Sequence, residues 1–123
     1  MKKILIVDDD QPTRLILVHI VESMGHVAFQ CPDGKHALET LKSNSDIAMV
    51  ITDMSMPRMD GRKLIEAVQS EERWNALPIL IMSAVVGVKE ISDLLKAGAR
   101  AFLKKPVRGE EIREYIERYI SSS

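Results

Sequence analysis

The chain of 123 residues is 46% apolar and 28% charged, which is the composition of an ordinary folded domain and excludes collagen-like repeats and intrinsic disorder. This length suits one domain rather than two. Seventeen basic and eighteen acidic residues give a net charge of −1, so the chain has no general positive field to attract nucleic acid or an anionic membrane. We therefore expect a single domain that binds no nucleic acid directly.

The sequence favours a reducing compartment and predicts no membrane insertion. Cys31 is the only cysteine and forms neither an internal disulfide nor a cysteine-based metal site. The apolar run before the first acidic residue is only four residues long, Ile4–Val7, which is too short for a signal peptide. The longest uncharged run, residues 74–88, contains Pro78 and Gly87 and is too short to span a bilayer. We predict a cytoplasmic protein.

Five short apolar segments predict β-strands. They are Lys3–Val7, Val27–Gln30, Ile47–Thr52, Pro78–Met82 and Ala101–Leu103. The third and fourth contain continuous apolar runs, which are typical of strands buried on both faces of a parallel sheet.

Apolar residues at helical spacing predict a helix after each strand. In the first helix they are Leu17, Ile20, Val21 and Met24, and Gly25 ends it. The later helices are marked by Ala37, Leu38 and Leu41, by Leu64, Ile65 and Val68, by Val88, Ile91, Leu94 and Leu95, and by Ile112, Tyr115, Ile116, Tyr119 and Ile120. Five β–α alternations with short connections predict an α/β fold, a parallel sheet with helices on both faces.

Chemically complementary residues follow four of the predicted strands. Asp8–Asp10 follow the first strand, Asp53 the third, Ser83 the fourth, and Lys104-Lys105-Pro106 the fifth. Ligands of open α/β sheets bind beyond the carboxyl ends of the strands. Acids, a hydroxyl and an amine are therefore expected at one edge of the sheet.

The aspartates at this edge predict a magnesium site. A solvated, helix-capping loop would explain Asp8–Asp10 alone. Asp53 changes this interpretation, because two like charges about 4 Å apart cost roughly 4 kcal/mol at an effective dielectric constant of about 20. An all-oxygen donor set suits Mg²⁺. Asp8, Asp9 and Asp53, one Mg²⁺ and Lys105 together carry no net charge, so such a site can accept a phosphoryl group.

Four segments in this order resemble the receiver domains of response regulators in two-component signalling, most closely the single-domain, chemotaxis-type regulators. They are ILIVDDD (4–10), ITDMSMPRMDG (51–61), IMSA (81–84) and FLKKP (102–106). The resemblance covers residues 3–120 and leaves 121–123 as a tail. It implies a flavodoxin-like, five-stranded parallel sheet in the order 2-1-3-4-5 with five helices on its two faces.

The resemblance also implies a role for each residue of the acidic site. Asp53 would be the phosphoacceptor. Asp8 and Asp9 would hold Mg²⁺ together with Asp53 and the backbone carbonyl of Ser55. Lys105 would bind the phosphate.

The remaining implied roles concern the conformational switch. Ser83 would be the switch hydroxyl, and Phe102 the aromatic residue that moves with it. Pro106 would follow a cis peptide bond, an isomer accessible at proline. Asp10 is a third acid, and we expect it to cap the first helix and face away from the metal.

The resemblance implies partners rather than an enzyme acting on a separate substrate. A sensor histidine kinase or a histidine phosphotransfer protein would supply the phosphoryl group, and a separate effector protein would carry the output. The chain would catalyse only its own phosphorylation and dephosphorylation. It would be a monomer or a weak dimer through the face formed by helix 4, strand 5 and helix 5.

Three other functions are compatible with parts of this pattern. A haloacid-dehalogenase-type phosphatase would need Thr or Val where Pro12 stands, and a cap domain. A flavodoxin-like FMN carrier would need a hydroxyl-rich loop after the first strand, where Asp8–Asp10 would repel the phosphate. A receiver that works without phosphorylation is the third alternative, although every element of the site is present.

Overall fold

One sheet of five parallel strands forms the centre of the fold in the computed structural model, which describes residues 1–84 and 87–120. The strands are β1 (Lys3–Val7), β2 (Val27–Cys31), β3 (Ile47–Asp53), β4 (Ile79–Ser83) and β5 (Ala101–Lys104). Their order across the sheet is β2-β1-β3-β4-β5. The predicted fold class and strand order are confirmed. The tail at 121–123 lies outside the described residues.

A helix follows each strand, as predicted. The helices are α1 (Gln11–Ser23), α2 (Gly34–Ser43), α3 (Gly61–Gln69), α4 (Val88–Ala97) and α5 (Gly109–Tyr119). A short 3-10 helix, Glu72–Trp74, follows α3; the sequence did not predict it. None of the helices in the described part of the chain has the length and apolar character needed to cross a membrane.

An aspartate directly precedes and caps three of the helices. The side chains of Asp10, Asp33 and Asp60 accept hydrogen bonds from backbone N–H groups at the starts of α1, α2 and α3, respectively. These bonds satisfy donors that have no partner within the helix. The cap at Asp10 agrees with its predicted role.

Two apolar clusters, one on each face of the sheet, form the core. Leu17 of α1 belongs to the same cluster as Ile4 and Ile6 of β1. Leu64 of α3 belongs to the other cluster with Leu5 of β1. Because successive side chains of a strand point to opposite faces, β1 contributes to both clusters and is buried on both sides.

Several strands end one residue later than the sequence predicts. Asp53 pairs with Met82, and Ser83 pairs with Lys104, within the parallel ladder. The ladder is made by backbone groups, so a polar side chain at the sheet edge does not end it. β4 begins at Ile79 rather than Pro78 because proline has no N–H to donate. Two polar residues of the candidate site are therefore held by the sheet itself.

Replacing a leucine of β1 tests the importance of this doubly buried strand. Leu5 is fully buried, whereas Leu15 on α1 is 50% exposed. We expect Leu5→Ala to lower the free energy of unfolding by about 2–5 kcal/mol, because it leaves a cavity in the core. The matched change Leu15→Ala should alter it by less than about 0.5 kcal/mol. Urea unfolding followed by circular dichroism measures both, and equal losses would contradict this assignment of the core.

Candidate functional site

Three aspartates converge at the carboxyl edge of the sheet. Asp8 and Asp9 follow β1, and Asp53 ends the neighbouring strand β3. Each offers a carboxylate oxygen within 4.8 Å of those offered by the other two. Asp8 is fully buried and Asp53 is 7% exposed, whereas Asp9 is exposed. The structure thus brings together the acids that the sequence placed at this edge.

Lys105 supplies the positive charge of the cluster. Its Nζ lies 3.0 Å from Oδ2 of Asp8 and 3.1 Å from Oδ1 of Asp53. The backbone N–H of Lys105 donates to the carbonyl of Ser83 over 2.9 Å, which ties the segment after β5 to the end of β4. The peptide bond between Lys105 and Pro106 is cis. One ammonium group therefore lies between two carboxylates from different strands.

The electrostatics of the cluster shift two pKa values. Burial raises the pKa of Asp53, the negative charge of Asp8 adds to the increase, and the hydrogen bond from Lys105 opposes it. For Lys105, burial acts to lower the pKa, but the hydrogen bonds and charges of the two aspartates outweigh it and raise the pKa. The ammonium therefore keeps its proton, while Asp53 loses its own less readily than an exposed aspartate does.

Short backbone contacts hold Asp53 in place. Gly61 begins α3 directly against it, and a Cβ on Gly61 would lie 2.6 Å from the carbonyl oxygen of Asp53. The hydroxyl of Thr52 donates to the same carbonyl over 3.0 Å. The N–H of Met54 donates to the carbonyl of Met82 over 2.8 Å. The carboxylate of Asp53 therefore projects from a backbone with little freedom to move.

Residues near Asp8 orient the loop after β1. The N–H of Asp10 donates to Oδ1 of Asp8 over 2.8 Å, while the side chain of Asp10 caps α1 by accepting from Thr13. Arg14 donates to the carbonyl of Asp8 over 2.7 Å. No pattern in the sequence predicts the role of Arg14, because its contact depends on how α1 packs against the sheet.

The other predicted site residues lie around this cluster rather than in it. Ser83 is buried at the end of β4, and Ser55 is exposed in the loop after β3. Both line a cavity of about 180 Å³ that also borders Leu94 of α4. Phe102 on β5 is half-buried and packs against the cluster that contains Leu94.

Comparison with known proteins identifies the family. Residues 4–117 match the model of the response regulator receiver domain. The chain belongs to this family. It is 32% identical over 116 residues to the chemotaxis protein CheY1 of Helicobacter pylori, with 94% of each chain covered. It is 34% identical over 117 residues to the two-component response regulator ORR11 of Oryza sativa, covering 95% of this chain and 80% of that protein.

A solved structure agrees with this assignment. The chemotaxis response regulator CheY4 of Vibrio cholerae superposes with a TM-score of 0.90 at 26% identity, covering 97% of this chain and 98% of that one. The chain is thus a CheY-like receiver domain of two-component signalling with a flavodoxin-like fold. The family leaves no support for the phosphatase of the haloacid-dehalogenase type or for the FMN carrier.

The donor set of the acidic cluster fits a divalent cation such as Mg²⁺. Asp8, Asp9 and Asp53 present only carboxylate oxygens, and these lie close enough together to share one ion. Mg²⁺ prefers oxygen ligands, takes few carboxylates and retains several waters. The exposure of Asp9 leaves such a site open to solvent on one side, which suits these waters.

Removing the carboxylate of Asp53 should stabilise the metal-free protein near neutral pH. Because the pKa of Asp53 is raised on folding, the native state binds this proton more tightly than the unfolded state does. Its contribution to stability therefore falls as pH rises through the native pKa. In EDTA, we expect Asp53→Asn to have a higher free energy of unfolding than the parent chain at pH 7. The difference should shrink as the pH falls toward 3.8, the ordinary pKa of an aspartate.

Asp46→Asn is the matched control for this pH series. A hydrogen bond from Lys3 lowers the pKa of Asp46, so its loss should lower stability at neutral pH or leave it unchanged. Urea midpoints between pH 4 and 8 measure both variants. A less stable Asp53→Asn at pH 7 would show that attraction to Lys105 outweighs burial and repulsion.

Proposed function

We propose that this chain is a phosphorylation-operated switch in which Asp53 accepts a phosphoryl group from a phosphohistidine donor in the presence of Mg²⁺. The observation that carries the proposal is the arrangement of Asp53, which lies at the sheet edge with Lys105 at 3.1 Å and Asp8 and Asp9 beside it. Its family membership supports the same function. The proposed functional unit spans residues 3–120.

In the proposed transfer, a carboxylate oxygen of Asp53 attacks the phosphorus of a phosphoimidazole. The O–P bond forms as the P–N bond breaks, and the imidazole leaves. Lys105 lies within reach of Asp53 and would bind a phosphoryl oxygen. Asp8, Asp9, Asp53 and the backbone carbonyl of Ser55 would hold Mg²⁺, which neutralises charge on the transferring group.

The proposed switch involves Ser83 and Phe102. The hydroxyl of Ser83 would donate to a phosphoryl oxygen on Asp53. The cavity beside Ser83 leaves space in which the end of β4 and the start of α4 can rearrange. Phe102, half-buried on the neighbouring strand, would follow this movement. Phosphorylation would then shift the population toward a state with a different α4–β5–α5 face.

The α4–β5–α5 face is the proposed output surface. Val88 and Leu95 are large apolar side chains exposed on α4, and they line a shallow apolar depression together with Ile91. A downstream effector would bind there, or a second copy in a weak dimer. The proposed setting is the cytoplasm, where a sensor histidine kinase or a histidine phosphotransfer protein acts as donor.

A second apolar surface lies next to the acidic cluster. Leu15 and Ile16 on α1 are exposed, and a cavity of about 330 Å³ lies between α1 and the segment after β5. Lys105 also lines this cavity. A donor must bring its phosphoimidazole to Asp53 and therefore contacts the surrounding surface. We propose this surface as the donor contact.

Acetyl phosphate tests the acceptor role. With Mg²⁺ present, intact-mass spectrometry should show an adduct of about 80 Da on the parent chain, because a carboxylate can take up a phosphoryl group without a protein donor. The adduct should map to Asp53 and be absent from Asp53→Asn and from samples in EDTA.

Asp46→Asn is the control for loss of an acidic side chain, since Asp46 lies at the opposite end of β3. It should form the adduct normally. An adduct that persists in Asp53→Asn would move the acceptor elsewhere. Absence of any adduct in the parent chain would favour a receiver that works without phosphorylation.

The donor surface is tested by Ile16→Lys. With a histidine phosphotransfer protein that phosphorylates the parent chain, we expect transfer to slow by roughly tenfold, because a charge replaces an apolar contact in the interface. Phosphorylation by acetyl phosphate should be unchanged. Val88→Lys, on the opposite output face, is the matched control and should leave transfer unchanged. Equal effects of the two variants would contradict this assignment.

A further inference from the structure

The loop after the acceptor strand, residues 54–60, is attached to the start of α2. The N–H of Gly34 donates to the carbonyl of Met59 over 3.0 Å. Nε of Arg58 lies 3.6 Å from Oδ2 of Asp33. We call these four residues the loop latch. They connect the β2–α2 turn to the loop that carries Ser55.

The contact at Gly34 leaves no room for a side chain. A Cβ there would lie 2.5 Å from the carbonyl oxygen of Met59 and 2.9 Å from its Cγ. Arg58 has a φ of 67°, in the left-handed region that residues other than glycine adopt only under local constraint. The loop therefore lies against α2 in a conformation that its own sequence does not favour.

Asp33 is the fixed point of the latch. It is only 2% exposed, and its carboxylate caps α2 by accepting from the N–H of His36 over 2.9 Å. Burial alone would raise the pKa of Asp33, but the hydrogen bonds from His36 and the nearby charge of Arg58 lower it. The carboxylate thus stays ionised and available to the guanidinium of Arg58.

The base of the loop is fixed separately. The N–H of Gly61 donates to the carbonyl of Met54 over 2.8 Å, which closes the loop between the end of β3 and the start of α3. The latch acts on the segment between these ends. Within the segment, the N–H of Met59 donates to the carbonyl of Pro57 over 2.7 Å, and Met56 packs against the core. The latch adds to these restraints by attaching the loop to α2.

We propose that Asp33, Gly34 and Arg58 are positioning residues for the metal site, holding the loop that carries Ser55 in one conformation before Mg²⁺ binds. This inference rests on the proposed function, in which the Ser55 carbonyl is a ligand. Ordering a loop costs conformational entropy. Because the latch orders the loop when the chain folds, the loss of entropy does not occur on binding and does not reduce the affinity for Mg²⁺.

Calorimetric titration of the metal-free protein with Mg²⁺ tests the latch. We expect Gly34→Ala to weaken Mg²⁺ binding roughly two- to tenfold, the range expected for one backbone hydrogen bond. Arg58→Ala should weaken it by about twofold, because the side chain is 60% exposed and exposed ion pairs are weak. Arg58→Lys, which retains the charge, should recover part of the affinity.

Amide hydrogen exchange in EDTA gives a second readout that does not involve the ion. Exchange across residues 54–60 should accelerate in both latch variants. Gly109→Ala is the matched glycine control, because its Cβ would meet only the ends of two side chains, Arg113 at 3.3 Å and Ile20 at 3.7 Å. Arg73→Ala controls for loss of an exposed arginine. Neither control should change Mg²⁺ affinity or loop exchange.

The outcomes separate this inference from the proposed function. Normal Mg²⁺ affinity and loop exchange in both Gly34→Ala and Arg58→Ala would overturn the latch while leaving the function intact. Failure of the parent chain to bind Mg²⁺ would overturn both. If Gly34→Ala does not fold, the results for Arg58→Ala decide whether the latch exists. This variant should fold, since the side chain of Arg58 is exposed and is not part of the core.

Discussion

Repulsion between carboxylates on adjacent strands is the interaction on which this site depends. Asp8 and Asp53 project from β1 and β3 into the same small volume, where solvent screens their charges poorly. Lys105 contacts both at about hydrogen-bond distance. One ammonium faces two buried carboxylates. Burial, with the negative charge of Asp8 added to it, raises the pKa of Asp53 in spite of the hydrogen bond from Lys105. The site thus keeps a net negative charge that a bound cation can neutralise, which is the property that a cation-dependent phosphoryl acceptor requires.

The parallel sheet makes this concentration of charge possible. Asp8 and Lys105 are 97 positions apart in the chain, yet both follow strands whose carboxyl ends lie at one edge. The same topology keeps the charged carboxylates out of the apolar core, because the buried apolar residues of β1 and β3 precede them along each strand. Stability comes from the middle of each strand and chemistry from its end.

The sequence predicted the strands, the helices and the convergence of the acids because each has a local pattern. Apolar runs mark Ile47–Thr52, and a polar residue after each strand marks the edge. Two kinds of feature had no such signal. Asp53 and Ser83 were placed beyond their strands, although backbone pairing retains them. The Gly34–Met59 contact joins two loops distant in sequence, so only the packing of α2 against the sheet reveals it.

Lys105 links the acidic cluster to the surface that the proposed switch would change. Its side chain contacts Asp8 and Asp53, while its backbone N–H holds the carbonyl of Ser83 at the end of β4. A phosphoryl group on Asp53 would attract both the ammonium of Lys105 and the hydroxyl of Ser83. These two contacts would act on the carboxyl ends of β5 and β4. Since α4 and α5 are the next helices along the chain after those ends, a small shift there has a short path to the α4–β5–α5 face. The coupling requires no long relay through the core, and its size is limited by the difference in free energy that the phosphoryl group makes between the two arrangements.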